Sequence, residues 1–204
     1  MNDQLKNIIC EHLKNGEVIS LATDTVYGLI SIATSDQAIK KIYELKNRSI
    51  EKPLSILVNS IDMAEKHIAL TPYAKKLLLD KNYSFTIIAK QHSHSKLSKH
   101  ININTSNIAL RIPKHNLLID IMNVLETPLV ATSANKSGQD ILDNAGDIYE
   151  IFGKEIRIFE LTSEAHSAIS EKTKKIPSAI IDCSTNDIKI VRGTNKQKEY
   201  IWNI

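Results

Sequence analysis

Four short segments gather residue types that could do chemistry. Thr23-Asp24-Thr25-Val26-Tyr27-Gly28 is a hydroxyl-rich turn between two apolar stretches. Hydroxyls and backbone amides beside a glycine suit a small polar ligand at strand ends, and an Asx-type turn explains the same residues without one. Lys46-Asn47-Arg48, followed by Glu51-Lys52-Pro53, puts three cations where a helix gives way to a loop. A lysine point charge beside a planar arginine fork suits a triphosphate, although cations are favoured at any helix C-terminus. Thr132-Ser133-Ala134-Asn135-Lys136-Ser137-Gly138 follows the apolar run Pro128 to Ala131. Its side chains can bond phosphate oxygens, hold magnesium through water, or simply cap a helix. Last come Pro177-Ser178-Ala179-Ile180-Ile181-Asp182 and then Arg192-Gly193, where a strand end can present a guanidinium to an anion. There is no G-x-x-x-x-G-K-[ST], no G-x-G-x-x-G and no G-x-S-x-G, which sets aside P-loop, Rossmann and nucleophile-elbow chemistry.

The elements that must position these segments follow from periodicity. Leu5, Ile8, Ile9 and Leu13 fall at helical spacing, with Asn15-Gly16 as the stop. Strands are expected at Glu17 to Ala22 and Leu29 to Ala33, then a helix capped by Ser35 and running to about Asn47. Leu54 to Val58 reads as a strand, Ser60 opens a helix, and Thr71-Pro72 is an N-cap with proline at the first helical position. Strands are expected near 84–89, 108–112 and 128–132, with helices near 116–125 and 144–151, and further strands near 156–160, 178–182 and 188–192. Alternating strands and helices predict an α/β fold: one twisted mixed sheet with helices on both faces, in a single domain over residues 1–204. Residues 194–204 read as a loose polar tail on which Trp202 docks.

Composition narrows the class. A hydrophobic fraction of 42% excludes disorder, and no apolar run reaches a membrane span of ~20 residues. The N-terminus lacks a signal-peptide pattern, and two distant cysteines, Cys10 and Cys183, form neither a disulfide framework nor a zinc motif, so a cytoplasmic location is expected. The formal charge of +3 is too mild for a protein built around polyanions. Arginine is scarce, occurring only at Arg48, Arg111, Arg157 and Arg192. Three of the four fall in or beside candidate segments or at the strand end Arg111-Ile112-Pro113.

Taken in order, these segments resemble the threonylcarbamoyl-AMP synthase family of YrdC/TsaC type. Thr23 to Leu29 matches its T-D/E-T-V-Y-G-L turn, with Ala22 where proline is usual. Lys46 and Arg48 match its lysine-x-arginine element, Lys52-Pro53 the following K/N-P, and Arg111-Ile112-Pro113 its strand-ending arginine. Ser133 and Asn135 match the serine-x-asparagine element, and Ser178, Asp182 and Arg192 the late elements. The resemblance runs from about residue 16 to 193.

It implies a YrdC-like fold and a reaction in which L-threonine, bicarbonate and ATP, with Mg²⁺, give threonylcarbamoyl-adenylate and pyrophosphate. A partner transferase complex then modifies the adenosine beside the tRNA anticodon. By position, the resemblance implies threonine contacts at Thr25, Arg111 and Ser178, and a catalytic set of Lys46, Arg48, Ser133 and Asn135. ATP contacts are implied at Arg48, Lys52, Asn107, Ser133, Asn135, Ile141 and Arg192. Departures are visible: Asn82-Tyr83-Ser84-Phe85-Thr86 stands in place of P-G-P-x-T and keeps its threonine, Asn107 stands where threonine is common, and Thr162 to Lys175 replaces a glycine-containing segment. The extra C-terminal domain of longer members is not expected here.

Other signals rank lower. His92, His94 and His100 sit in a basic stretch with Lys96 and Lys99, open to a metal, to weak tRNA contact, or to solvent alone. Tyr43, Cys10 and Cys183 read as packing residues. The alternative to an adenylate-forming enzyme is a non-catalytic tRNA- or double-stranded-RNA-binding module on the same fold. A carbamoyl-adenylate domain like that of hydrogenase maturation factors is a third reading.

Overall fold

The computed structural model describes residues 3–23, 26–142, 144–160, 177–185 and 187–203. Within them the helices are α1 (Asp3–Lys14), α2 (Asp36–Lys46), α3 (Ile61–Glu65), α4 (Pro72–Leu78), α5 (Asn116–Leu125), α6 (Ala145–Phe152) and α7 (Asn195–Asn203). The strands are β1 (Ile19–Ala22), β2 (Tyr27–Ile32), β3 (Ser55–Leu57), β4 (Phe85–Lys90), β5 (Asn107–Arg111), β6 (Leu129–Ser133), β7 (Arg157–Phe159), β8 (Ala179–Asp182) and β9 (Lys189–Arg192). The expected caps form: the side chains of Ser35, Ser60 and Thr71 accept from the amides of Ala38, Met63 and Ala74, opening α2, α3 and α4.

All nine strands join one mixed sheet in the order β7-β1-β2-β6-β3-β5-β4-β8-β9. The pairs β1–β7, β3–β5 and β4–β8 are parallel and the other neighbours antiparallel. Helices α1 and α2 both pack on β2, α1 also meets α5, and α4 covers β4. Strand β1 is buried at all four positions, which requires cover on both faces of the sheet there. No helix among the described residues is long and apolar enough to cross a membrane.

The centre of the sheet is asymmetric. Successive strand residues point to opposite faces. One face carries Ile87, Ile108, Leu110, Val130, Ile56 and Ile181, all fully buried. The opposite face carries Ser55, Ala109, Ala131, Ile88 and Ile180, each only half-buried. Pairings of Ser55 with Ala109, Ile88 with Ala109, and Thr86 with Ile180 keep these residues on one side. The sheet therefore has a closed hydrophobic face and a shallow open one with a small-residue floor.

Two expectations at the C-terminal end are overturned. Residues 195–203 are helical, because Gln197 and Ile201, four apart, are both buried and seat α7 on the body. Trp202 does not dock; it is 65% exposed on the outer side of that helix.

Candidate functional site

The open face holds two polar groups, one at each end of its strands. At the first end, the last residue of α2 meets the loop after β6. Lys46 is 2% exposed, and its Nζ donates to Ser133 O at 2.5 Å, Asn135 O at 2.8 Å and Asn135 Oδ1 at 3.1 Å. Ser133 Oγ donates to Asn135 Oδ1 at 2.6 Å, and Asn135 Nδ2 donates to Gln139 O at 2.6 Å. Two donors on Oδ1 and a carbonyl on Nδ2 fix which way the amide faces. The clasp is reciprocal: Ser137 N donates to Lys46 O at 2.7 Å and Lys136 Nζ to Leu45 O at 2.7 Å, satisfying carbonyls that end α2. Burial, reinforced by the Arg48 charge, lowers the Lys46 ammonium pKa to about 8.

Arg48 is aimed by the end of the same helix. Asn47 turns left-handed (φ 47°, ψ 49°), and Arg48 N bonds back to Tyr43 O at 2.9 Å. The guanidinium then braces the following loop, with Nε donating to Lys52 O at 3.2 Å and Nη2 to Pro53 O at 2.9 Å. Tyr43 is buried, as expected of a packing residue, and its hydroxyl shares the Lys52 carbonyl at 3.1 Å. The Lys52 side chain is exposed. Gly28 pairs with Ser133, and a Cβ at Gly28 would stand 3.3 Å from both Thr132 O and Thr23 Cγ2, a close fit to which its neighbours would have to yield by a few tenths of an ångström. Thr23 closes the turn, its Oγ1 donating to Val26 O at 2.7 Å. Thr25 lies outside the described residues, as does the 162–175 segment.

The second group lies at the other end. Leu57 pairs with both Arg111 and Leu129, whereas Ser133 is four residues beyond Leu129 along β6. Arg111 is 7% exposed at the end of β5. On neighbouring strands, the hydroxyls of Thr86 and Ser178 share a buried hydrogen bond of 2.9 Å. Arg192 donates to Ser178 O through Nη2 at 2.9 Å and Nε at 3.3 Å. Burial and then the nearby charge of Arg111 lower the Arg192 pKa, so the two guanidiniums share a field.

The expected residues are thus divided. Lys46, Arg48, Ser133 and Asn135 come together, with Asn107 at the same end of the sheet, paired to Lys90. Arg192, expected among ATP contacts, lies instead with Arg111 and Ser178. Ile141 is 48% exposed in the loop beyond Gly138. Thr86 was not among the expected site residues, although it keeps the threonine of the P-G-P-x-T pattern, and that is the signal that could have found it. Cys10 and Cys183 are buried, and His92 and His94 stack on each other with ring centroids 5.1 Å apart. Among the described residues no three His, Cys, Asp or Glu side chains gather as a metal cage.

Comparisons with known proteins agree with this architecture. The Sua5/YciO/YrdC family model, described as telomere recombination, matches residues 11–194. A putative threonylcarbamoyl-AMP synthase of Methanocaldococcus jannaschii is 33% identical over 146 residues, covering 69% of this chain and 67% of that protein. Threonylcarbamoyl-AMP synthase of Mus musculus is 31% identical over 127 residues, 62% of this chain but 45% of the mouse protein, so this chain spans under half the length of that relative. The crystal structure of Pyrococcus abyssi Sua5 complexed with L-threonine superposes with a TM-score of 0.82 at 22% identity, over 98% of this chain and 58% of that one. At that identity the likeness is one of fold.

Proposed function

The chain belongs to the Sua5/YciO/YrdC family, and on that premise we propose that it is an L-threonylcarbamoyladenylate synthase. The observation that carries the reading is the open sheet face, with an arginine–hydroxyl group at one end and the clasped Ser133–Asn135 loop at the other. Threonine and bicarbonate combine to a carbamate with loss of water. A carbamate oxygen attacks the α-phosphorus of ATP, the α–β P–O bond breaks, and pyrophosphate leaves with that electron pair. Both reactants are anions, so catalysis rests on positioning and charge neutralisation rather than on a covalent enzyme intermediate.

Arg111 takes the threonine carboxylate as a planar fork, beside Ser178. Arg48, Lys52, Ser133 and Asn135 face the nucleotide, with Asn107 and Ile141 against its nucleoside part, while Arg192 stands with Arg111 at the threonine end. Lys46 contributes charge while its own hydrogen bonds hold the Ser133–Asn135 loop. ATP enters as its Mg²⁺ complex. Magnesium would be held chiefly by the substrate phosphates and its own waters, and Ser133 and Asn135 would reach it through water, helping to neutralise charge at the phosphates. The product is a reactive mixed anhydride, suited to hand-over to a tRNA threonylcarbamoyl-transferase complex in the cytoplasm.

The test is pyrophosphate release with each substrate omitted in turn. The proposal requires threonine, bicarbonate and ATP together; release that proceeds equally without threonine refutes it. Salt-sensitive tRNA binding with no nucleotide turnover favours the RNA-binding module instead.

A further inference from the structure

Helix α7 is tied to the site by one amide. Thr194 and Gln197 form a reciprocal capping box: Gln197 N donates to Thr194 Oγ1 at 3.2 Å, and Thr194 N donates to Gln197 Oε1 at 2.8 Å. The Gln197 side chain is nonetheless buried, 2% exposed, because its other end is used as well. Nε2 donates to Pro177 O at 3.2 Å, on the residue immediately before Ser178. Arg192 holds the Ser178 carbonyl itself, and Ser178 Oγ meets Thr86. A cap and a site turn therefore share one glutamine.

A second tie runs from the same helix to the other half of the hydroxyl pair. Tyr200 Oη donates to Asp80 Oδ2 at 2.8 Å and accepts from Asn82 Nδ2 at 2.6 Å. Its ring stacks on Phe85 at 6.5 Å and meets Tyr83 edge-on at 4.9 Å. Asp80 Oδ1 in turn accepts from the amides of Asn82 and Tyr83, which sets the turn leading into Phe85 and Thr86. That turn is Asn82 to Phe85, which contains no proline to fix its backbone.

We propose that Gln197 is a positioning residue for the reaction: through Pro177 it sets the Ser178 hydroxyl against Thr86, and with Tyr200 it makes α7 a support for the threonine end of the site. The inference rests on the proposed role of Ser178 toward threonine. The Arg48–Ser133–Asn135 end shares no hydrogen bond with α7 among the described residues, so the effect is confined to one substrate.

The test compares Gln197→Glu and Tyr200→Phe with the wild type in the full chain. Gln197→Glu keeps an acceptor for Thr194 N but turns a carboxylate oxygen toward Pro177 O. Tyr200→Phe keeps the ring contacts and loses both polar ones. Loss of one positioning hydrogen bond raises the KM for threonine about fivefold in Gln197→Glu, with the KM for ATP within about twofold of wild type. Tyr200→Phe shifts the same ratio in the same direction, and carries the comparison alone if Gln197→Glu does not fold. A lowered melting temperature with an unchanged ratio of the two KM values shows a purely structural role and overturns the proposal. A wild-type chain with no threonine-dependent turnover overturns the proposed function, and this inference with it.

Discussion

Replacing Lys46 by methionine tests whether a buried ammonium holds the site loop. The substitution keeps the length and the apolar stem and removes three donors, those to Ser133 O, Asn135 O and Asn135 Oδ1. Hydrogen bonds from a charged donor contribute about 2 kcal/mol each, or about 6 kcal/mol together. Against this stands the cost of burying the charge. With the pKa lowered from 10.5 to about 8, that cost is about 3 kcal/mol at neutral pH. The balance predicts Lys46→Met to be less stable by about 3 kcal/mol at pH 7. The sign of the pH dependence is specific. Because the folded pKa lies below the unfolded one, the unfolded chain binds more protons between pH 8 and 10.5, and wild-type stability from this group rises across that window. Methionine has no proton to lose, so the gap between wild type and variant widens by about 1 kcal/mol from pH 7 to pH 9. Urea denaturation of both proteins at the two pH values measures it. A gap that narrows as pH rises refutes the reasoning, since it requires a folded pKa above the ordinary value.

Two further outcomes follow from the site geometry. Arg111→Lys replaces a planar fork by a point charge at the threonine end, so the KM for threonine rises about tenfold or more while that for ATP changes little; initial-rate kinetics with each substrate varied check it, and equal shifts in both contradict the division of the face. Burial pushes the Cys183 thiol up to about 11 and that of Cys10 upward as well. The native chain at pH 8 therefore resists iodoacetamide while the urea-unfolded chain takes up two labels, and rapid native labelling contradicts the burial of both.

Much of this architecture is legible in the sequence because local rules are obeyed locally. Ser35, Ser60 and Thr71 each precede a helix and each accepts the amide three residues on. Even the two faces of β5 can be read, since Asn107-Ile108-Ala109-Leu110-Arg111 alternates small or polar residues with large apolar ones. Strand order cannot be read this way. Nothing local in β3 states that its neighbours are β5 and β6, and it is this order that puts Arg192 beside Arg111 rather than beside Arg48. Helix α7 escapes notice for a different reason. Its buried stripe is one glutamine and one isoleucine, so composition marks it as tail, and only the Thr194-x-x-Gln197 pattern betrays a cap. Lys46 shows a third limit: residue type announces a cation, but not that protein carbonyls already engage it.

The register also constrains what can occupy the open face. Asn107 and Arg111 lie on the same side of β5, four residues apart, which separates them by about 14 Å. The Ser133–Asn135 loop is at the Asn107 end, because Pro53, one residue before Leu54, lies where β3 begins between β5 and β6. A compact ligand reaches one group or the other. A ligand that uses both must be extended and must pass over Ser55, Ala109 and Ala131, the small side chains the three central strands turn to that face between the two ends. Larger residues there would fill the path without disturbing the hydrophobic side, where Ile56, Leu110 and Val130 do the packing. An amino-acid carbamate joined end to end with a nucleoside triphosphate has that extended form, with its negative charge in the middle. The mild net charge of +3 is then no measure of the site, because the attraction such a ligand feels comes from guanidiniums at the two ends of a floor that is itself neutral.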